Sequence, residues 1–141
     1  MRRTSVVYLP FLLLLLFLAA CGGEEAGGVT GDPARGETLY RETNIGPANA
    51  PGCITCHSTE PGEVKAGPSH AGLATRAAEI VNDPGYTGQA TTAEAYLRES
   101  IVEPNAYVVE GFVAGVMYQN YGEELSEQEL ADLVAFMMTL K

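Results

Sequence analysis

Cys53-Ile54-Thr55-Cys56-His57 is the stretch on which the reading of this 141-residue chain turns. Two thiols three positions apart fall on one turn of backbone, and an imidazole follows at once. A single CxxCH string of this kind is the attachment signature of a c-type haem. Geometry explains the spacing. The two sulfurs reach the two vinyl groups of one porphyrin, and the next residue's ring sits under the iron and ligates it through one nitrogen. Three other chemistries compete for the same residues. A thioredoxin-like dithiol wants a βαβ setting, and none surrounds this motif. A structural zinc site wants four ligands, and beside this cluster only His70 is at hand. A plain disulfide between Cys53 and Cys56 leaves His57 without a purpose.

Working outward to the N-terminus, Arg2 and Arg3 precede fifteen uncharged residues, Val6 to Ala20. That is signal-peptide length and short of the roughly 20 residues of a membrane span. The run ends Leu18-Ala19-Ala20-Cys21, which resembles the lipobox of bacterial lipoproteins. The resemblance implies cleavage before Cys21 and a lipid on its thiol. The cysteine arithmetic then closes, with one thiol for lipid and two for haem. Residues 22–31 read GGEEAGGVTG, five glycines with one larger apolar residue, Val29. Such a stretch cannot bury enough surface to offset its ordering entropy, and residues 21–31 are expected to form a flexible tether. The folded domain is expected over residues 32–141, with residues 1–20 as signal peptide.

The chain carries 8 Lys+Arg against 18 Asp+Glu, a formal net charge of −10. Without Arg2 and Arg3 the balance is 6 against 18, or −12. That excludes the basic footprint of a nucleic-acid binder and adhesion to anionic lipid by charge.

Helix signals flank the central motif. Asp32-Pro33 joins a capping aspartate to a proline at the first helical position. Gly36 and Tyr40 share one face of that helix, and the glycine lets a second helix come close. Thr91-x-x-Glu94 fits a capping box, Ala93, Tyr96, Leu97 and Ile101 follow at helical spacing, and Pro104 ends that pattern at Glu103. Ser126-x-x-Glu129 is another capping box, followed by an amphipathic run through Leu130, Leu133, Val134, Met137 and Leu140. No strand-like alternation stands out.

His57 leaves a second axial position on an iron. Met1 lies in the signal, and Met137 and Met138 lie in the C-terminal helical run, where core packing is their ordinary role. Met117 stands apart, in the loop-like stretch Asn105–Gly122 between two helices. A loop can lay a thioether over an iron, and His/Met ligation belongs to electron-transfer haem proteins. A gap-filling role for Met117 and ligation by His70 are the competing readings.

These residues together resemble the small monohaem cytochromes c of the class I type, from about Asp32 to Lys141. CITCH matches the haem motif. Gly67-Pro68, with Gly72-Leu73 and Arg76 following, is similar to the family's Gly-Pro loop, and Val116-Met117 to its distal ligand. The resemblance implies an all-α fold, three to five short helices wrapped around one covalently attached haem c. It implies thioethers at Cys53 and Cys56, with His57 and Met117 as axial ligands. It places the Pro68 carbonyl on the proximal histidine and Arg76 beside a haem propionate, and it pairs Gly36 and Tyr40 with Phe136 in a terminal helix crossing. Three departures stand out. Tyr118 occupies the place of a proline after the methionine ligand. His70 replaces an apolar residue, and can either lie near the haem or turn outward. Tryptophan is absent, so Tyr96 or Tyr107 would have to supply any propionate bond that Trp makes in relatives.

The expected function is electron transfer between redox partner proteins of a membrane chain, by a carrier lipid-anchored at the extracytoplasmic (periplasmic) face of a bacterial membrane. A fixed haem subunit of a respiratory or photosynthetic assembly, resembling alternative complex III, is the alternative. An open-coordination haem enzyme or sensor is a third reading, to which only Tyr118 gives weight.

Overall fold

Asp32 opens the architecture as its sequence suggests. Its carboxylate accepts from the backbone N–H groups of Ala34 (2.8 Å) and Arg35 (3.3 Å), and helix α1 runs Pro33–Arg41. The structure, a computed structural model, describes residues 29–141. The expected signal peptide, the lipobox with Cys21 and the tether as far as residue 28 lie outside the described residues. At its inner end the tether stops sooner than expected, because the carbonyl of Thr30 already accepts a hydrogen bond from Gln128 (3.0 Å).

After α1 come a two-residue antiparallel ladder, β1 (Asn44–Ile45) with β2 (Ala50–Pro51), and a single helical turn, α2 (Cys53–Cys56). Helices α3 (Leu73–Ile80) and α4 (Ala93–Val102) follow, then the short α5 (Tyr121–Glu124) and the C-terminal α6 (Glu127–Met137). Among the described residues there are thus six helical segments, two of them four residues long, against the three to five expected. The ladder was not foreseen either, since two residues cannot display a period of two. The fold is mostly helical, as expected. None of its described helices is long and apolar enough to cross a membrane.

Both later caps are built from side chains. Ser126 and Glu129 form the reciprocal box, with the Ser126 hydroxyl accepting from the Glu129 N–H (3.3 Å) and the Glu129 carboxylate accepting from the Ser126 N–H (2.8 Å). At α4 the cap is Thr92, one residue later than the spacing suggests. Its hydroxyl reaches the N–H of Ala95 (3.1 Å), which leaves Glu94 in the first turn where the helix dipole favours an acid.

Helix α1 crosses α6 at Gly36. A β-carbon there would lie 1.9 Å from the carbonyl oxygen of Asp132 and 2.9 Å from the β-carbon of Phe136. Asp132 ties the crossing together. Only 4% exposed, it takes Arg35 on both oxygens (2.7 and 2.9 Å), the N–H of Asp32 (2.6 Å) and the Gln128 amide (2.8 Å). Arg35 beside it, helped by the other donors, holds its carboxyl well below the usual carboxylate range. Beneath the crossing lies one core in which Tyr40, Leu97, Leu130 and Leu133 are the largest fully buried side chains. The surface is a different matter. Arg98 bridges to Glu127 (2.7 Å) with both side chains well exposed, a pair worth little to stability.

Candidate haem site

The CxxCH stretch folds as one turn laid against a loop. The N–H of His57 donates to the carbonyl of Cys53 (2.9 Å), and Thr55 caps the turn through Gly52 O (2.6 Å). Residues 65–68 then come back over it. Gly67 N–H donates to Cys56 O (2.9 Å), and the Lys65 ammonium reaches Ile54 O (2.9 Å). Both thiols are free. Burial pushes the Cys53 thiol up to about 11. A redox-active dithiol works through a thiolate of lowered pKa, so this environment disfavours disulfide-exchange chemistry. A structural zinc centre fares no better, because among the described residues no three His, Cys, Asp or Glu side chains gather as a metal-binding group.

His57 is buried and held on several sides. Its Nδ1 lies 2.8 Å from the Pro68 carbonyl. A carbonyl can only accept, so Nδ1 carries the proton and Nε2 keeps its lone pair for a metal. Burial lowers the pKa of this imidazole against the opposing pull of Pro68, which keeps the ring in its neutral, ligating form near pH 7. Gly67 lies so close to the ring that a β-carbon would fall 2.3 Å from His57 Cε1. The carbonyl at Pro68 stands where the resemblance puts it, and it acts as partners behind metal-binding histidines do, fixing tautomer and orientation.

His70 turns inward. Its ring stacks on that of His57, with centroids 4.0 Å apart and planes 21° from parallel, and its Nδ1 is hydrogen-bonded to the Tyr40 hydroxyl (3.0 Å). Tyr40 is 0% exposed and packs against Phe136 at 5.2 Å, so the terminal crossing reaches the site through two aromatic rings. Arg76 donates from its two terminal nitrogens to the carbonyls of Ala71 and Ser69, which braces the loop that presents Pro68. Beside this loop an open cleft of about 320 Å³ is lined by Pro61, Val64, Pro68, Ala71, Arg76 and Phe112, among others.

Met117 is partly buried against the core, in a loop staked at several points. Asn105 accepts from Gly115 N–H (2.8 Å) and donates to Gln119, and the Gln119 amide donates to Met117 O (2.5 Å). Gly115 has φ +78°, a left-handed conformation that a side chain would strain. At Tyr118, where the resemblance leads one to expect a proline, the hydroxyl donates to Glu124 and the ring meets Tyr121 edge-on at 5.0 Å. Tyr96 and Tyr107 stand with Tyr86 in a cluster of edge-to-face rings, centroids 5.3 to 6.2 Å apart. Asp132, Asn105 and the bond between Tyr40 and His70 are the positioning features that sequence reasoning missed. The spacing of Gly36 and Tyr40 and the unexpected imidazole at His70 hinted at the last of them.

The donor set suits a covalently held haem. Two thiols share one helical turn, the adjacent neutral imidazole has a single free nitrogen, and the glycine cradle leaves that ring its room. The cytochrome c family model matches residues 33–141, from the first residue of α1 to the last residue of the chain. No curated protein is matched closely enough to count as a relative. With one family spanning all but the first few described residues, the chain belongs to the cytochrome c family, whose members bind haem c covalently and serve electron transfer.

Proposed function

We propose that this cytochrome c is a class I type, monohaem electron carrier, held by a lipid on Cys21 at the extracytoplasmic face of a bacterial membrane and exchanging electrons with redox proteins there. Cys53 and Cys56 hold the haem through thioethers, and His57 and Met117 ligate its iron. Bound there, the haem supplies a one-electron ferrous/ferric couple. What this chain adds is a fixed setting. Pro68 and Gly67 orient His57, and Asn105, Gln119 and the Tyr118–Glu124 bond hold the Met117 loop. A ligand set that stays put between oxidation states keeps reorganisation small. Docking of an electron carrier needs only a small, transient interface, and exposed Val64, Val113 and Val116 offer apolar surface for one.

The observation that carries this reading is the His57 Nδ1 at 2.8 Å from the Pro68 carbonyl, which leaves Nε2 for iron, directly after the second of two free thiols. The test is to express the full chain with a cytochrome c maturation system. The expected product is a red protein whose haem survives denaturation, with a low-spin six-coordinate spectrum that Met117→Ala alone converts to a weaker-field form. Intact mass should show a lipidated N-terminal cysteine. A colourless product whose two thiols still react with an alkylating reagent would refute the haem assignment. A soluble, unlipidated product would refute the anchor.

A further inference from the structure

The Gly-Pro loop places a second imidazole where the family resemblance leads one to expect an apolar side chain. His70 lies face to face with His57 at 4.0 Å and 21°, its Nδ1 is bonded to Tyr40 at 3.0 Å, and its backbone N–H donates to Ser58 O at 2.7 Å. A leucine would fill similar space. It would present no flat face and would take no hydrogen bond.

We propose that His70, seated by Tyr40, is a positioning residue that fixes the plane of the His57 ring. The inference rests on His57 being an axial ligand, as proposed above. The Pro68 carbonyl grips His57 at one atom, and a single hydrogen bond leaves a ring free to rock about the line it defines. Two flat rings at van der Waals separation resist that rocking, because one cannot turn without lifting the other. His70 cannot yield easily. Its far side is pinned to a hydroxyl that is 0% exposed, on a ring pressed against Phe136 where α1 crosses α6. The orientation of the axial ring is thereby referred to the buried crossing of α1 and α6.

The plane of an axial imidazole is readable. Its π orbital separates the two iron dπ levels along a direction set by the ring, so the principal g values of the ferric low-spin signal report that orientation. The experiment compares the full, haem-loaded chain with His70→Leu, His70→Phe, Tyr40→Phe and the His70→Leu/Tyr40→Phe double variant by low-temperature electron paramagnetic resonance. The expected result is a low-spin signal in all, with shifted and broadened g values in His70→Leu. His70→Phe, which restores a flat ring, should return them toward the native ones. Tyr40→Phe should shift them in the same direction as His70→Leu but less, and the double variant should match His70→Leu, since Tyr40 acts through His70. Signals superimposable on the native one in both His70→Leu and Tyr40→Phe would overturn the inference while leaving the ligand assignment standing. If His70→Leu fails to fold, Tyr40→Phe and His70→Phe decide the matter. A native chain that carries haem without a low-spin ferric signal would remove the ligand assignment, and this inference with it.

Discussion

Replacing Gly36 with alanine sets two opposed effects against each other, and the geometry says which wins. In an isolated helix the change is favourable by about 1 kcal/mol, because alanine loses less backbone entropy than glycine. Here the added β-carbon would lie 1.9 Å from Asp132 O and 2.9 Å from Phe136 Cβ. It falls about 1.5 Å short of ordinary van der Waals separation from the carbonyl, which is backbone in the middle of α6 and cannot swing aside. The helices must part, and the hydrogen bonds that gather Arg35, Asp32 and Gln128 on Asp132 lengthen with them. Overpacking of this kind costs about 3 kcal/mol, the upper end of its usual range. A net loss of about 2 kcal/mol follows, or about 8 °C in Tm for a domain of this size. Thermal unfolding of native and Gly36→Ala chains, followed by circular dichroism at 222 nm, measures it. An unchanged or raised Tm would mean that propensity outweighs packing and that α1 does not sit on α6 as described.

Three further outcomes are expected. Gly67→Ala should displace the His57 ring, whose Cε1 lies 2.3 Å from the new β-carbon, and so lower the yield of haem-loaded protein and its Tm; a fully loaded variant of native Tm would contradict the cradle. Asp132 has a folded pKa depressed far below its unfolded value of about 3.9, so its contribution is present above that pH and is lost as pH falls below it toward the folded value; the Tm gap between native and Asp132→Asn should be constant from pH 7 to about pH 5 and shrink progressively below about pH 4, and a gap that does not shrink there would refute it. Tyr118→Phe removes the bond to Glu124 and loosens the Met117 loop, so an added ligand such as cyanide should enter the ferric protein faster than in the native form, and unchanged kinetics would show that the loop is held elsewhere.

What the sequence discloses and what it hides divide along a physical line. Local hydrogen bonding is written locally. Asp32-Pro33 and Ser126-x-x-Glu129 announce their helix starts because the capping side chain and the N–H that it satisfies lie two or three residues apart. The CxxCH string is legible for the same reason, since its chemistry needs a fixed short spacing. Segments too short to show a period, such as β1, β2 and α5, leave no pattern to read. Asp132 stays hidden because a polar residue on an amphipathic helix ordinarily faces water, and only the arrival of Arg35, 97 residues earlier, makes burial tolerable. Arg76 shows what resemblance leaves unsaid, because the bonds from its terminal nitrogens to two loop carbonyls follow from the loop's own course and not from the motif. His70 was conspicuous as a departure, yet whether it turned in or out depended on a tyrosine thirty residues before it.

That tyrosine also ties the crossing of α1 and α6 to the site. His57 and Met117 are sixty residues apart, and each is held by its own loop. Neither loop is stiffened by regular structure, so both need a rigid frame behind them. Tyr40 carries the proximal half of that frame from α1 to His70, and Phe136 on α6 presses on the same ring. Elsewhere, Tyr121 on α5 donates its hydroxyl to Pro51 O, which ties the segment after Met117 back to the residues just before Cys53. The α1–α6 crossing therefore does more than join two helices. Because Gly36 allows the helices to touch, the junction seats Tyr40 against Phe136 and so sets the position of His70 beside His57. A change at the crossing should be felt at His57, passed through Tyr40 and His70.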